Sequence, residues 1–394
     1  SGFASGLESS VWGIVAIGLT ILGAMLLFKG NAEFAAYGIA LSGLGLLSTT
    51  GFMLAMDTYG PISDNANGIF EMSGALKDAG SDSSAHKIVA KLDAVGNTTK
   101  ALTKGLAIAT AVIAATALFR SFMADAFLLN DGIRLDWTVV FVGLLIGGAV
   151  PFLFCSFAIN AVSRAAFQLV EEVRRQFREI PGIMKYDPRS GSDKGKPDYQ
   201  RCVAISTAAA QKELLSPAVL AVSAPVLVAF GLGYGGRVVE VAGNKVVLEG
   251  AAALGGFLAG AILSGQLMAV LLSNTGGLWD NAKKKIEDGM FGGKGTPEHK
   301  AAVVGDTVGD PFKDTAGPAL NPMIKVMNLV AILAAPIAIQ PISVAARTVV
   351  VVISVIALVA ATLWSKRGGI EAGPEAGPEN PNPVPESEEE PVAV

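Results

Sequence analysis

The chain has 394 residues, of which 51% are hydrophobic and 16% are charged, and its mean hydropathy is +0.51. A soluble domain usually carries about 25% charged residues, so the composition excludes an ordinary soluble protein. The net charge of −4 leaves no broad basic surface, which argues against a nucleic-acid partner.

Sulfur and imidazole ligands are scarce along the chain. Cys155 and Cys202 lie in or beside apolar segments, and His86 and His299 are far apart in sequence. A disulfide framework or a Cys/His metal site is therefore not expected. The opening residues, SGFASGLESS, contain no Met and no basic region, so they are not a signal peptide. We expect them to come from within a longer sequence.

Eight apolar runs follow one another along the chain. A run of about 20 apolar residues is long enough to cross a bilayer as a helix, so we predict an all-α, polytopic transmembrane bundle of about eight helices in residues 1–366. The Pro/Glu-rich residues 367–394 are predicted to form a disordered acidic tail. The predicted spans are Val11–Phe28, Phe34–Met56, Lys104–Phe122, Trp137–Ala161, Val203–Tyr234, Val247–Leu272, Ala319–Gln340 and Val344–Trp364.

Basic residues gather in alternate connecting segments. The segments Asp64–Lys91, Phe167–Arg201 and Asp280–Lys300 are rich in Lys and Arg, whereas the segments between them carry few. Cytoplasmic loops carry an excess of these residues. We therefore predict an integral, multi-pass protein with these three loops and the tail on the cytoplasmic side.

Polar motifs cluster where four predicted helices reach that same side. A charge in apolar surroundings is costly unless it is paired or binds a metal. One such residue is usually a helix cap, and a Lys run is usually a topology signal, but a whole group at one membrane face favours a functional site. The group comprises Asp57, Asp64, Asn97, Asp280, Lys283, Asp306, Asp310, Lys313 and Asp314.

The spacing of three aspartates suggests a metal site. Asp306, Asp310 and Asp314 are four residues apart, which predicts one stripe along a helix, with Lys313 beside it. Carboxylates this close repel one another unless a cation lies between them. Oxygen ligands without sulfur or imidazole favour Mg²⁺, which often also binds phosphate oxygens. Lysines beside the carboxylates would then contact the phosphate.

Several motifs resemble the membrane-bound, ion-pumping pyrophosphatases. These are DTYGPISDNANGIFEM, LDAVGNTTKA, SNTGGLWDNAKK and GDTVGDPFKDTAGPALNPMIKVMN, and the resemblance extends from the first residues to about Asn328. It implies a homodimer that cleaves inorganic pyrophosphate with Mg²⁺ on the cytoplasmic side and pumps H⁺ or Na⁺ outward. It also implies a subunit of about sixteen helices, of which this chain resembles the C-terminal part. We expect a prokaryotic plasma membrane.

The resemblance also implies a role for each site residue. Further acidic helices of the family, with several metal ligands and one of two water-holding aspartates, have no counterpart in these residues. We therefore expect a missing N-terminal half to be needed. The implied roles are metal ligands for Asp64, Asn97, Asp280, Asp306 and Asp310, pyrophosphate contacts for Asn97, Lys104, Lys283 and Lys313, water binding for Asp314, and an ion gate for Lys325.

One position indicates the subtype. In this family an alanine at the position of Lys100 goes with K⁺-dependent enzymes, whereas a lysine goes with K⁺-independent ones because its ammonium occupies the K⁺ site. Thr103 agrees with the second pattern. The resemblance therefore implies a K⁺-independent H⁺ pump, although a lysine near a membrane surface can also simply reach towards water.

Two other classes stay open at this stage. A secondary transporter also breaks its helices with Gly and Pro near charges, but its site usually lies near the middle of the membrane. A half of a split or truncated pump would show no hydrolysis alone, and we expect that outcome for the isolated chain. Pyrophosphate-driven acidification of vesicles separates a pump from a secondary transporter.

Overall fold

The structure is a computed structural model that describes residues 1–73, 84–186, 192–234, 236, 238–241 and 243–367. Its long helices are α1 (Gly2–Leu27), α2 (Ala32–Leu47), α3 (Thr50–Ser73), α4 (Ser84–Asp125), α5 (Thr138–Glu179), α6 (Tyr199–Glu213), α7 (Leu215–Gly231), α8 (Leu248–Glu287), α9 (Pro297–Pro311), α10 (Gly317–Ala338) and α11 (Val344–Lys366). A π-helical turn, Phe312–Ala316, joins α9 to α10, and short 3₁₀ turns lie at Ile183–Lys185 and Met290–Gly292.

The helices confirm the predicted transmembrane bundle. Within the described residues, seven helical segments are long and apolar enough to cross a membrane, and α2 with α3, bent by 46°, is either an eighth, broken span or a re-entrant loop. The predicted span Phe34–Met56 crosses that bend. The predicted acidic tail lies outside the described residues, apart from Arg367.

Within the described residues, the charged segments that were predicted as loops contain helical stretches, which corrects the prediction. Helix α5 continues to Glu179 and α8 to Glu287, well beyond their apolar runs. Hydropathy marks the part of a helix that can contact lipid, not the point where the helix ends. Lys, Glu, Gln and Arg are good helix formers, so the helices continue past their apolar runs.

Helix α8 lies at the centre of the bundle and packs against α1, α4, α5, α9 and α10. Glycines allow α5 to lie directly against it. A Cβ at Gly147 would overlap the backbone of Phe257, and a Cβ at Gly256 would overlap the carbonyl of Val140. Close backbone approach through small residues is typical of membrane helices. We call this close contact between α5 and α8 the seam, and it holds α8 in the core of the bundle.

A short β-hairpin lies at the end of the bundle where α8 begins. Strands β1 (Val238–Val241) and β2 (Asn244–Val247) pair antiparallel, and the Val247 N–H donates to the Ile339 carbonyl at 2.8 Å. The all-α prediction did not include this hairpin. We call this end the hairpin end and the opposite end, where α8 finishes, the site end.

Candidate functional site

Three carboxylates from two helices meet at the site end. Asp280 belongs to α8, Asp306 and Asp310 belong to α9, and one oxygen of each lies within 4.8 Å of the others. The helices come this close because Gly276 on α8 has no side chain. A Cβ there would lie 2.7 Å from the Cβ of Lys313 and would also overlap the Gly309 carbonyl.

Lysines interleave with these carboxylates. Lys313 donates to Asp280 at 2.5 Å and lies 2.8 Å from an oxygen of Asp310. Lys283 donates to Asp306 at 2.5 Å. Asp280, Asp306 and Lys313 are buried, so the pairing offsets the cost of removing their charges from water.

Some oxygen atoms of the cluster have no hydrogen bond. Within the described residues, Asp280 Oδ1 and Asp306 Oδ1 are buried and accept none. Their nearest ion-pair contacts are longer, at 3.4 Å from Lys284 and 3.7 Å from Lys313. Hard, unsatisfied oxygens at this spacing fit Mg²⁺.

Asn97 on α4, a predicted site residue, is equally buried. Its exposed fraction is 2%, and neither its Nδ2 nor its Oδ1 has a hydrogen-bond partner among the described residues. A buried amide without partners carries the full cost of its desolvation. This fits the predicted role of Asn97 as a ligand of a metal or of an anionic substrate.

Two residues of the cluster were missed by the sequence analysis. Asp93 is 1% exposed and lies 2.8 Å from Lys284, which is itself 3.4 Å from Asp280. Asn67 also donates to Asp93, at 3.1 Å. Asp93 precedes Asn97 by one helical turn, and this spacing was a usable signal. Lys284 belongs to a run of lysines, which is usually interpreted as a topology signal.

A second group of predicted residues lines a pocket of about 370 Å³ beside the cluster. Lys100 lies 3.4 Å from Asp64, and its side-chain stem runs along Gly60, where a Cβ would meet it. Lys104 lies 3.3 Å from Asp314 and also donates to the Lys313 carbonyl. The lining residues are Asp57, Pro61, Asp64, Asn65, Lys100, Lys104, Asp314 and Pro318.

The predicted stripe of three aspartates is wrong for its third member. Asp306 and Asp310 face Asp280, whereas Asp314 faces Lys104 on α4. The π-helical turn begins directly after Pro311, which has no N–H to donate, and it changes the phase of the helix. The adjacent residues Lys313 and Asp314 therefore point in different directions, Lys313 towards α8 and Asp314 towards α4.

A second pocket, of about 280 Å³, contains the remaining predicted residues. Thr103 and Lys325 both line it, together with the buried side-chain oxygen of Asn321. Asp57, Lys104 and Pro318 line both pockets. The predicted gate residue Lys325 is thus close to the second group and does not contact the carboxylate cluster.

Known proteins share this sequence over most of its length. Residues 1–334 match the model of the family described as inorganic H⁺ pyrophosphatase. A K⁺-insensitive pyrophosphate-energized proton pump from Chloroflexus aurantiacus is 52% identical over 384 residues, which cover 93% of this chain and 45% of that protein. A protein of the same description from Streptomyces coelicolor is 48% identical over an alignment that covers 98% of this chain and 47% of that protein.

A third relative carries a different description. A putative K⁺-stimulated pyrophosphate-energized sodium pump from Clostridium tetani is 48% identical over 342 residues, 86% of this chain and 46% of that protein. The chain spans about half the length of the curated relatives it matches. The family match covers 334 of the 394 residues and includes the candidate site, and the chain therefore belongs to the inorganic H⁺ pyrophosphatase family.

Proposed function

We propose that this protein hydrolyses inorganic pyrophosphate with Mg²⁺ and couples the reaction to H⁺ transport out of the cytoplasm, without a need for K⁺. The observation that carries the proposal is the interleaved cluster of three carboxylates and three lysines on α8, α9 and the π-helical turn. Family membership and the names of the relatives support it. The homodimer and the need for further acidic helices remain predictions.

Asp280, Asp306 and Asp310 are the proposed core of the metal site, with Asp93 and Asn97 close by on α4. All five offer oxygen atoms, which Mg²⁺ prefers. Bound Mg²⁺ would neutralise charge on the phosphate oxygens. Asp64 lies towards Lys100 instead, and we propose that it is a ligand at the pocket side of the site.

Lys283, Lys284 and Lys313 are the proposed phosphate contacts. Each is paired with a carboxylate and would exchange that partner for a phosphate oxygen, because an ammonium makes charge-assisted contacts with either group. Asp314 is the proposed water-binding carboxylate, since its side chain remains 41% exposed to the pocket. Lys104 would hold Asp314 in place and contact the substrate.

The two adjoining pockets suggest how hydrolysis could be linked to transport. Asp57 and Lys104 line both, and Lys325 lines the one that includes residues of the apolar helices. A change of charge at Asp314 would act on Lys104 directly, and through it on the second pocket. We propose that this route couples the site to a gate at Lys325.

Lys100 is the proposed determinant of the subtype. Overall identity does not decide it, because the K⁺-stimulated sodium pump is also 48% identical to this chain. The buried Lys100 ammonium faces Asp64 at 3.4 Å and supplies the positive charge that a K⁺ ion would otherwise bring. The basic residues at the site end support a cytoplasmic location for the site.

The test uses sealed, inside-out membrane vesicles that contain the whole product of the gene, so that an N-terminal half is present if the reaction needs one. We expect Mg²⁺-dependent release of phosphate from pyrophosphate, acidification of the vesicle lumen, and neither activity after Mg²⁺ is chelated. The proposal fails if pyrophosphate is not hydrolysed. Hydrolysis without acidification, in vesicles shown to hold a pH gradient, would contradict the pumping part alone.

A further inference from the structure

At the site end, α11 finishes beside α5 and α6 in a group of cations. Arg164 on α5 binds the Glu213 carboxylate through two nitrogens, with Nε 3.0 Å from Oε1, and also donates to the Ser365 carbonyl. Arg164 therefore fixes the end of α11. It also neutralises Glu213, the last residue of α6.

Two further cations lie over one aromatic ring at this place. Lys212 Nζ is 5.4 Å and the Arg367 guanidinium is 5.7 Å from the centre of the Trp364 ring. Both distances are within the range of a cation–π contact. In the described part of the chain, neither cation pairs with a carboxylate, since Glu213 is bound to Arg164. Among the described residues, the positive charge at this ring is thus not balanced.

The ring marks the edge of an apolar surface. The outer face of α11 is exposed and apolar, with Ile353 and Ile356 more than 60% exposed. In a bundle that crosses a membrane, this face contacts lipid. Trp residues concentrate at the membrane–water boundary, so we expect Lys212, Trp364 and Arg367 to lie at the level of the lipid headgroups.

We propose that Lys212, Trp364 and Arg367 form a binding site for the phosphate of an anionic phospholipid. Two cations that converge on the same ring suit a phosphate, and the apolar face of α11 suits the acyl chains. None of the three residues belongs to the carboxylate cluster or lines the two pockets beside it, so this site is distinct from the candidate pyrophosphate site.

The chain offers one rival occupant. Residues 368–394 contain seven glutamates and no Lys or Arg, and they follow directly after Arg367. A lipid is favoured because the cations lie at the edge of an exposed apolar face, next to a Trp ring. An acidic segment would bind through charge alone and would not require the apolar face or the Trp ring.

The test uses the fluorescence of Trp364, one of four tryptophans. The protein is reconstituted in phosphatidylcholine vesicles that contain the same fraction of either brominated phosphatidylglycerol or brominated phosphatidylcholine. Subtracting the signal of Trp364→Phe isolates the Trp364 component. We expect stronger quenching by the anionic lipid. The double variant Lys212→Gln/Arg367→Gln should lower that preference about fivefold per charge, since each contributes about 1 kcal/mol at a membrane surface.

The matched control is Lys29→Gln/Lys245→Gln, which removes two exposed lysines at the hairpin end and should keep the preference. The double variant at the proposed site retains Trp364, so it can be compared with the wild type even if Trp364→Phe does not fold. Equal quenching by both lipids overturns the proposal. A preference that appears only after the seven tail glutamates are changed to Gln also overturns it, because the tail then occupies the cations.

Discussion

At the scale of single residues, the site is organised by short-range pairing of opposite charges. Lys313 forms ion pairs with both Asp280 and Asp310, and Lys283 forms an ion pair with Asp306. Burial makes each unpaired charge expensive. Under the proposed function these pairs would be exchanged on binding, with a metal replacing a lysine beside a carboxylate and a phosphate replacing a carboxylate beside a lysine.

The central carboxylate gives the first prediction. Asp280→Asn removes the oxygen charge shared by Lys283, Lys284 and Lys313. We expect the Mg²⁺ concentration for half-maximal hydrolysis to rise by at least about 10- to 100-fold, since loss of even an outer partner of a metal ligand has that effect. Titration of Mg²⁺ in a phosphate-release assay measures it.

Asp288→Asn is the matched control, because Asp288 is exposed just after α8 ends. It should leave the Mg²⁺ titration unchanged. An Asp280→Asn protein with the wild-type titration curve would show that Asp280 is no metal ligand.

Lys100 gives the second prediction. Lys100→Ala leaves Asp64 without its buried cation and opens space beside Gly60. We expect hydrolysis to become dependent on added K⁺, because a monovalent cation can then occupy the position of the ammonium. The measurement compares rates with K⁺ and with a bulky organic cation. Lys91→Ala, at an exposed position on the same helix, should remain indifferent to K⁺. A Lys100→Ala protein that K⁺ does not stimulate would contradict this assignment.

At the scale of helices, close approach without side chains sets the site geometry. Gly276 allows α8 to pack against α9 and the π-helical turn. The turn then directs Lys313 towards Asp280 on α8 and Asp314 towards Lys104 on α4. π-Helical turns are rare and often occur at functional sites. The spacing of the candidate site thus depends on backbone features of these elements as much as on the charged residues.

Adjacent glycines on α8 provide a matched pair of variants. A Cβ at Gly276 would lie 2.7 Å from Lys313 Cβ, whereas a Cβ at Gly277 would make an ordinary contact, 3.7 Å from Ala101 Cβ. Gly276→Ala should push α9 away and lower the rate of hydrolysis about 100-fold, since a shift of about 1 Å can have that effect. Gly277→Ala should stay within about twofold of the wild type. Equal rates of hydrolysis for the two variants would contradict the inference that this contact positions Lys313.

At the scale of the whole molecule, α8 connects the membrane core to the site. Its apolar first part packs on α5, and its charged last part carries Asp280 and the lysines. The seam between α5 and α8 should therefore control the stability of the bundle more than the chemistry.

A second pair of adjacent glycines tests this separation. Gly147 on α5 lies against the backbone of Phe257, whereas a Cβ at Gly148 would meet nothing within 4 Å. Gly147→Ala should destabilise the protein by about 1–3 kcal/mol, the usual effect of overpacking, and lower its melting temperature in detergent. Gly148→Ala should melt like the wild type. If Gly147→Ala melts normally but loses hydrolysis, the seam acts on the site rather than on stability.

Sequence reasoning found most of the candidate residues because their charge is anomalous in an apolar chain. The residues it missed or misplaced were those whose position depends on another helix. Asp93 joins the candidate site only because Lys284 on α8 contacts it. Asp314 lies off the predicted stripe of aspartates only because it lies in the π-helical turn.

The sequence by itself determined that the chain is an all-α membrane bundle, because long apolar runs permit little else in lipid. It also determined the family, since the charged motifs are retained in linear order. The tertiary structure decided how these motifs divide between a carboxylate–lysine cluster and two adjoining pockets. That division follows from glycine contacts and helix phase, which bring together residues such as Asp93 and Asp280 that are far apart in the chain.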